Sequence, residues 1–360
     1  MKLFVFGAIA GAAFIGAVIY FLSRRGWLRN GYFTIPAIVF IVIGLFIAFQ
    51  AIGGGAVVAA VGLSMEDHPM IALTLNGLSE ILVMLIGSLV ISLAVRQHPF
   101  KVFRLEGISE TPFSAYILAL PIILAAQFAG GALSAIWMRV LKFSPDFYAV
   151  IGKYETASDK AQENLVTAHG LGEFAIIFLF VAIVPGFAEE TLFRGFSQSN
   201  IERSGHHRTR PYIALIVTSI LFASVHGSVF KFPGLLMLGL ALGWMAYRTS
   251  NLLVGALAHA ANNGFIVIAL YFVADQISAK ANQTIVSPDE LPAMQALLIF
   301  IPAVLILALL IYYFHRVTSN LHSRDNAEHE LQAHLASNSN HSDESWRNND
   351  KYHDLNDTNE

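Results

Sequence analysis

Apolar residues run in long blocks from the N-terminus to about residue 314, and polar residues collect between the blocks. A helix rises 1.5 Å per residue, so about 20 apolar residues cross the hydrocarbon of a bilayer. Nine blocks reach or approach that length: 2–22, 34–63, 71–95, 112–141, 171–193, 211–227, 232–248, 251–273 and 293–314. The ~10-residue alternating segments of a membrane barrel are absent. The pattern predicts an all-α fold, a polytopic membrane helix bundle of about nine transmembrane helices. The second block is longer than a span needs, and Gly53-Gly54-Gly55 is its candidate break. Phe232-Pro233-Gly234 is expected to turn the chain between the sixth and seventh blocks. The first block is longer than the 7–15 residues of a signal-peptide core, and arginines follow it, so it reads as a retained anchor.

The loop cations set an orientation. Arg24, Arg25 and Arg29 follow block one, Arg96, Lys101 and Arg104 block three, and Arg203, Arg208 and Arg210 block five. Arg248 follows block seven, and Arg316 and Arg324 follow block nine. Cytoplasmic loops carry the excess of Lys and Arg, so every odd-numbered exit is cytoplasmic. The N-terminus is expected outside and the C-terminus in the cytoplasm. Residues 315–360 are rich in Asn, Ser, Asp, Glu and His, too polar to offset their ordering entropy, and read as a disordered tail. The tail's His322, His329, His334, His341 and His353 lack tight ligand spacing.

Composition agrees: 55% of the 360 residues are hydrophobic and 13% charged, against about 25% charged in soluble domains. The net charge of −3 comes without a basic stripe, so nucleic acid is not an expected partner. There is no cysteine, which excludes disulfides, thiol nucleophiles and thiolate metal sites. A metal would have to use His, carboxylate or amide ligands.

Against this apolar background a few polar side chains stand out. Glu189, Glu190 and Arg194 end the run from Phe174 to Phe187. Ionisable groups inside a bilayer cost roughly 2.5–3.5 kcal/mol on insertion scales, so they usually have a purpose. Glu190 and Arg194 share a helix face, four residues apart, while Glu189 points about 100° away. That offset lets arginine pin one carboxylate and leaves the other free as a base. A salt-bridged helix end is the plainer reading of the same residues. His226 closes the sixth block, and His259 and Asn263 lie a turn apart on the eighth. Interface or interhelical hydrogen bonds would also account for these. Glu80, in the third block, reads as a structural acid outside this set.

The order Glu-Glu-x-x-x-Arg, Phe-x-x-x-His, His-x-x-x-Asn resembles the CPBP family of intramembrane proteases, which includes CAAX prenyl endopeptidases of the Rce1 type and bacterial Abi-type proteins. Here the motifs are Glu189, Glu190 and Arg194, then Phe222 and His226, then His259 and Asn263. The resemblance covers about residues 170–274. It implies peptide-bond hydrolysis, which needs a base for water and donors for the developing oxyanion. Glu189 is the expected general base, with His226 positioning the water. His259 and Asn263 are the expected oxyanion donors, and Glu190 with Arg194 the supporting ion pair. Two histidines and a carboxylate are also a common zinc set, so His226, His259 and Glu189 would be the ligands if the enzyme needs zinc. The family includes members called metalloproteases and members described as glutamate-dependent, and both alternatives stay open.

The expected organisation is four N-terminal membrane helices over 1–143, an extracytoplasmic loop over 144–170, a catalytic helical core over 171–274, a loop and last membrane helix over 275–314, and the tail over 315–360. The expected partners are the lipid bilayer and a membrane-associated protein or peptide substrate. The expected location is multi-pass in a bacterial inner (plasma) membrane. A non-catalytic scaffold of the same fold and a proton-coupled transporter are the competing readings; the latter would favour two related halves, which are not seen. At 1.5 Å per residue, Glu189 would lie about 8–10 Å from the cytoplasmic side, His259 about 12 Å and His226 about 20 Å. For these to meet, the sixth helix must start in the cytoplasmic interface region.

Overall fold

The computed structural model describes residues 20, 26–61, 68–168, 170–205, 209–279 and 293–321. The expected first span, apart from Tyr20, and the tail from 322 onward lie outside the described residues. Among the described residues the chain is almost wholly helical. The exception is a two-residue hairpin, β1 (Leu28–Arg29) with β2 (Tyr32–Phe33), paired Leu28 to Phe33. Its turn residues Asn30 and Gly31 both have positive φ, the conformation of a tight hairpin turn.

Six helices are long and apolar enough to cross a membrane. They are the apolar parts of α1 (Ile35–Val61), α2 (Pro69–Ala94), α3 (Phe113–Leu141), α5 (Leu171–Arg203), α8 (Leu252–Ala279) and α9 (Ala293–Val317). The chain is an integral, multi-pass membrane protein. The blocks at 211–227 and 232–248 form α6 (Arg210–Val225), a shorter apolar helix of 16 residues, and α7 (Phe232–Thr249), of 18 residues. Neither meets the length and hydropathy of the other six.

Three expectations change. The triple glycine does not break α1, which runs on to Val61. A Cβ on Gly53 would stand 3.0 Å from Asn76 Oδ1, so that glycine serves the close approach of α1 and α2. The expected loop at 144–170 is mostly a 22-residue helix, α4 (Pro145–Val166). Its polar composition hid it from a hydropathy reading. The fifth span does not stop at 193 but continues to Arg203. Residues 191–201 are all buried there, including Arg194, Ser197, Gln198, Ser199 and Asn200. These polar side chains face protein, and all but Ser197 hydrogen-bond to it. Gln198 Nε2 donates to the Gly243 carbonyl at 3.0 Å, and Asn200 Oδ1 accepts from the Phe33 N–H at 2.9 Å.

Two apolar cores flank the centre of the bundle. One joins the hairpin, α1, α2 and the inner part of α5. The other joins α3, α7, α8 and α9. Between them α5 and α8 run antiparallel, held close by small residues. A Cβ on Gly186 would fall 2.7 Å from Ala260 Cβ and 2.8 Å from its backbone nitrogen. Near the start of α8, a Cβ on Gly195 would lie 3.7 Å from Leu252 Cδ1. This crossing is where the polar side chains gather.

The extended α5 also resolves the mismatch in depth. Glu189 stands 14 residues before Arg203, about 21 Å from that helix end, and His226 about 24 Å from Arg210. α8 begins beside Gly195, not at the end of α5, so about two turns bring His259 level with Glu190. The site is therefore near the middle of α5, further from that helix's C-terminal end than the spacing of the blocks implied.

Candidate active site

The local geometry of α5 starts from Pro185. Proline has no N–H to give the carbonyl four residues earlier, here Val181. Wide, π-type turns lie before the glutamates at Phe178–Ile183 and directly after them, through Arg194, at Thr191–Gln198. Such turns occur often at functional sites. Asn263 Nδ2 of α8 donates to the Val181 carbonyl at 3.2 Å. The third motif thus touches the backbone of α5 one helical turn before the proline.

Glu190, Arg194 and His259 form a closed group. Arg194 Nη1 donates to Glu190 Oε1 at 2.7 Å, and Arg194 Nη2 reaches the Gly239 carbonyl of α7 at 3.3 Å. His259 Nδ1 lies 3.1 Å from the same Glu190 oxygen. The side chains of Glu190, Arg194 and His259 are 0%, 1% and 8% exposed. Gly255 makes room for the carboxylate, since a Cβ there would stand 3.1 Å from Glu190 Oε2. The Arg194 guanidinium also sits over the Phe222 ring, 4.5 Å from its centroid. Charge, hydrogen bonds and packing together hold this group in one geometry.

Glu189 and His226 form the second, looser pair. His226 Nδ1 is 2.7 Å from the Phe222 carbonyl, which can only accept, so Nδ1 carries the proton. In the neutral ring Nε2 is then a bare acceptor. It faces Glu189 Oε2 at 4.0 Å, too far for a hydrogen bond. Glu189 Oε2 is buried and has no hydrogen-bond partner. The two side chains are 16% and 31% exposed, so this pair opens outward where the first does not. Two acceptors at this separation suit a water that donates one hydrogen to each.

Glu190, Arg194 and His259 form one group and Glu189 with His226 another, with Phe222 between them and Asn263 on the Val181 carbonyl; this pairing differs from the zinc set. His259 is bonded to Glu190, not to Glu189. Among the described residues no three His, Asp or Glu side chains come together as a metal site. The set His226, His259 and Glu189 does not fit a shared ion, since His259 Nδ1 is held on Glu190 and Glu189 faces His226 alone.

Two neighbours were not placed at the site from sequence. Glu80 is 5% exposed, its Oε1 has no hydrogen-bond partner, and the charge of Glu189 reaches it across the packed helices α2 and α5. Arg104 bonds the Arg194 carbonyl from Nε at 3.0 Å. Neither lies in a motif, and only the fold brings them near.

A buried ion pair, two histidines and a second carboxylate on crossing apolar helices define a class, a polytopic membrane protein with a polar centre. Residues 171–265 match the Rce1-like family of type II CAAX prenyl endopeptidases, the group to which the motif order points. The matched stretch contains all six site residues. No curated protein and no solved structure matches the chain. The Rce1-like family is a protease family, so the match supports a peptidase of the CAAX/CPBP type.

Proposed function

We propose that this protein is an intramembrane endopeptidase that hydrolyses a peptide bond of a membrane-associated protein or peptide. The observation that carries this reading is the 4.0 Å gap between Glu189 Oε2 and His226 Nε2. A water seated there donates to both acceptors and keeps its lone pairs for attack. Its oxygen adds to the scissile carbonyl carbon while one proton passes to Glu189. The C–N bond then breaks, and Glu189 returns that proton to the leaving amine. Asn263 has two amide N–H bonds, one of which is engaged by Val181, leaving the other for the oxyanion. His259, oriented through Nδ1 by Glu190, turns Nε2 away from that carboxylate as a second contact for the substrate carbonyl. Glu190 and Arg194 support that ring and do not touch the substrate.

A scaffold would have use for the Glu190–Arg194–His259 group but none for Glu189, which makes no ion pair with Arg194 and faces His226 only across 4.0 Å. The deciding experiment is cleavage of a reporter membrane substrate by reconstituted wild-type and Glu189→Gln protein, with comparative proteomics of membrane fractions to find natural substrates. Loss of a general base typically lowers turnover about 10²–10⁴-fold. Undiminished cleavage by a folded Glu189→Gln protein would remove the assignment. Stoichiometric zinc in the purified wild type, absent from His259→Ala, would overturn the metal-free water activation.

A further inference from the structure

Arg104 lies outside the family-matched segment, in the turn between α2 and α3, yet it is only 3% exposed. Its guanidinium reaches three partners on two other helices. Nε donates to the Arg194 carbonyl at 3.0 Å, Nη1 to the Ala246 carbonyl at 3.3 Å, and Nη2 pairs with Glu202 at 2.6 Å. Its own carbonyl accepts the N–H of Leu252, the first residue of α8, at 3.1 Å. One residue therefore grips α5 and α7 by its side chain and the start of α8 by its backbone.

The surrounding turn is shaped for this seat. Arg104 has φ of 51°, a left-handed conformation that a side chain adopts at a cost of order 1–3 kcal/mol unless its surroundings enforce it. A Cβ on Gly107 would fall 2.4 Å from the Thr249 carbonyl oxygen and 2.6 Å from that of Ser250, so backbone meets backbone there. Asn251 Nδ2 donates to Thr111 Oγ1 at 2.9 Å and to Tyr116 Oη at 2.7 Å. Residues 104–116 thus cradle the junction of α7 and α8.

We propose that Arg104 is a positioning residue for the hydrolytic site, setting the axial register of α5 against α8 and with it the Glu190–His259 contact. The proposal rests on the endopeptidase reading for its catalytic consequence, though not for its structural one. Arg194 is four residues from Glu190, and His259 is about two turns from Leu252, so a slip between these anchors is carried directly into the site. Lysine cannot replace the fork, because a single ammonium cannot serve three diverging acceptors in fixed directions.

The test uses full-length Arg104→Lys in liposomes, with wild type and Glu189→Gln alongside. Turnover of the reporter should fall about 10–100-fold with KM little changed, the loss typical of a site displaced by about 1 Å. The chain has no cysteine, so spin labels at Leu179→Cys on α5 and Leu257→Cys on α8 report register without any assay of activity. The interspin distance should shift or broaden in Arg104→Lys. An unchanged distance overturns the proposal whatever the activity, and so does a shifted distance with wild-type kcat. Cleavage that Glu189→Gln abolishes supports the hydrolase reading separately, so a failure of that reading is told apart from a failure of this one.

Discussion

The two carboxylate–histidine pairs begin on adjacent residues of one helix and end in opposite conditions. Glu190 is sealed from solvent, shares one oxygen between Arg194 and His259, and lies against Gly255. Glu189 is partly open, faces His226 across 4.0 Å and holds no hydrogen bond on its buried oxygen. The rotation of about 100° per residue separates them. The difference teaches that a membrane site can divide its polar groups between holding and reacting. The held pair is compensated because an unpaired buried charge is costly. The reacting pair is set apart by its partial opening and its 4.0 Å gap, since Glu190 too keeps one buried oxygen, Oε2, without a hydrogen-bond partner.

The largest effect should come from breaking the held pair. Arg194→Ala or Glu190→Gln leaves a buried charge without its partner, a change that typically costs about 3–5 kcal/mol. Glu189→Gln breaks no ion pair of that kind and should stay within about 0.5 kcal/mol of wild type. Unfolding of the purified protein in mild detergent measures all three. Equal losses at positions 189 and 190 would erase the distinction between holding and reacting.

A smaller effect is expected where α5 and α8 touch. Gly186→Ala places a Cβ 2.8 Å from the Ala260 nitrogen and 2.9 Å from its Cα, which forces the helices apart. Overpacking of this sort costs about 1–3 kcal/mol. Since Glu190 and His259 meet across the same crossing, their contact should lengthen too. Gly54→Ala is the control, with nothing within 4 Å of the added methyl. It should be neutral or slightly stabilising, by up to about 1 kcal/mol. A Gly186→Ala protein as stable as Gly54→Ala would show that the crossing is looser than the geometry requires.

Much of this was legible in the chain. Four-residue spacing paired Glu190 with Arg194, because neighbours on one helix are fixed by its own pitch. Motif order pointed to Glu189, His226, His259 and Asn263 as one set, and the fold divides it, with Glu189 facing His226, His259 on Glu190 and Asn263 on the Val181 carbonyl. Spacing could not say which glutamate meets His259, since that depends on how α8 is rotated against α5. It also missed the last ten residues of α5. Hydropathy reads Gln198, Ser199 and Asn200 as a loop, whereas hydrogen bonds to α7, to the hairpin and along α5 itself hold these buried side chains in a helix. Arg104 looked like one more cytoplasmic cation, because a residue's partners on α5, α7 and α8 leave no local trace. Helix α4 was invisible for the opposite reason. It is held partly by polar contacts, such as Glu155 accepting from Ser228 Oγ at 2.8 Å, and apolar periodicity does not reveal those.

The smallest effect, and the one that probes the two pairs together, belongs to Phe222. Its ring is 1% exposed and stands 4.5 Å from the Arg194 guanidinium, 4.7 Å from the His226 ring and 5.8 Å from the His259 ring. It is a wall shared by the held pair and the reacting pair. Phe222→Leu keeps an apolar side chain but removes the aromatic face. Losing the cation–π contact of a desolvated arginine should lower stability by about 1–2 kcal/mol. If the ring also aligns His226, turnover should fall further than stability alone explains. A double-mutant cycle of Phe222→Leu with Arg194→Lys separates the two roles, since residues in contact show non-additive effects. Coupling in stability with none in turnover would confine Phe222 to the held pair. Coupling in both would mean that the supporting ion pair reaches the reacting water through this one ring.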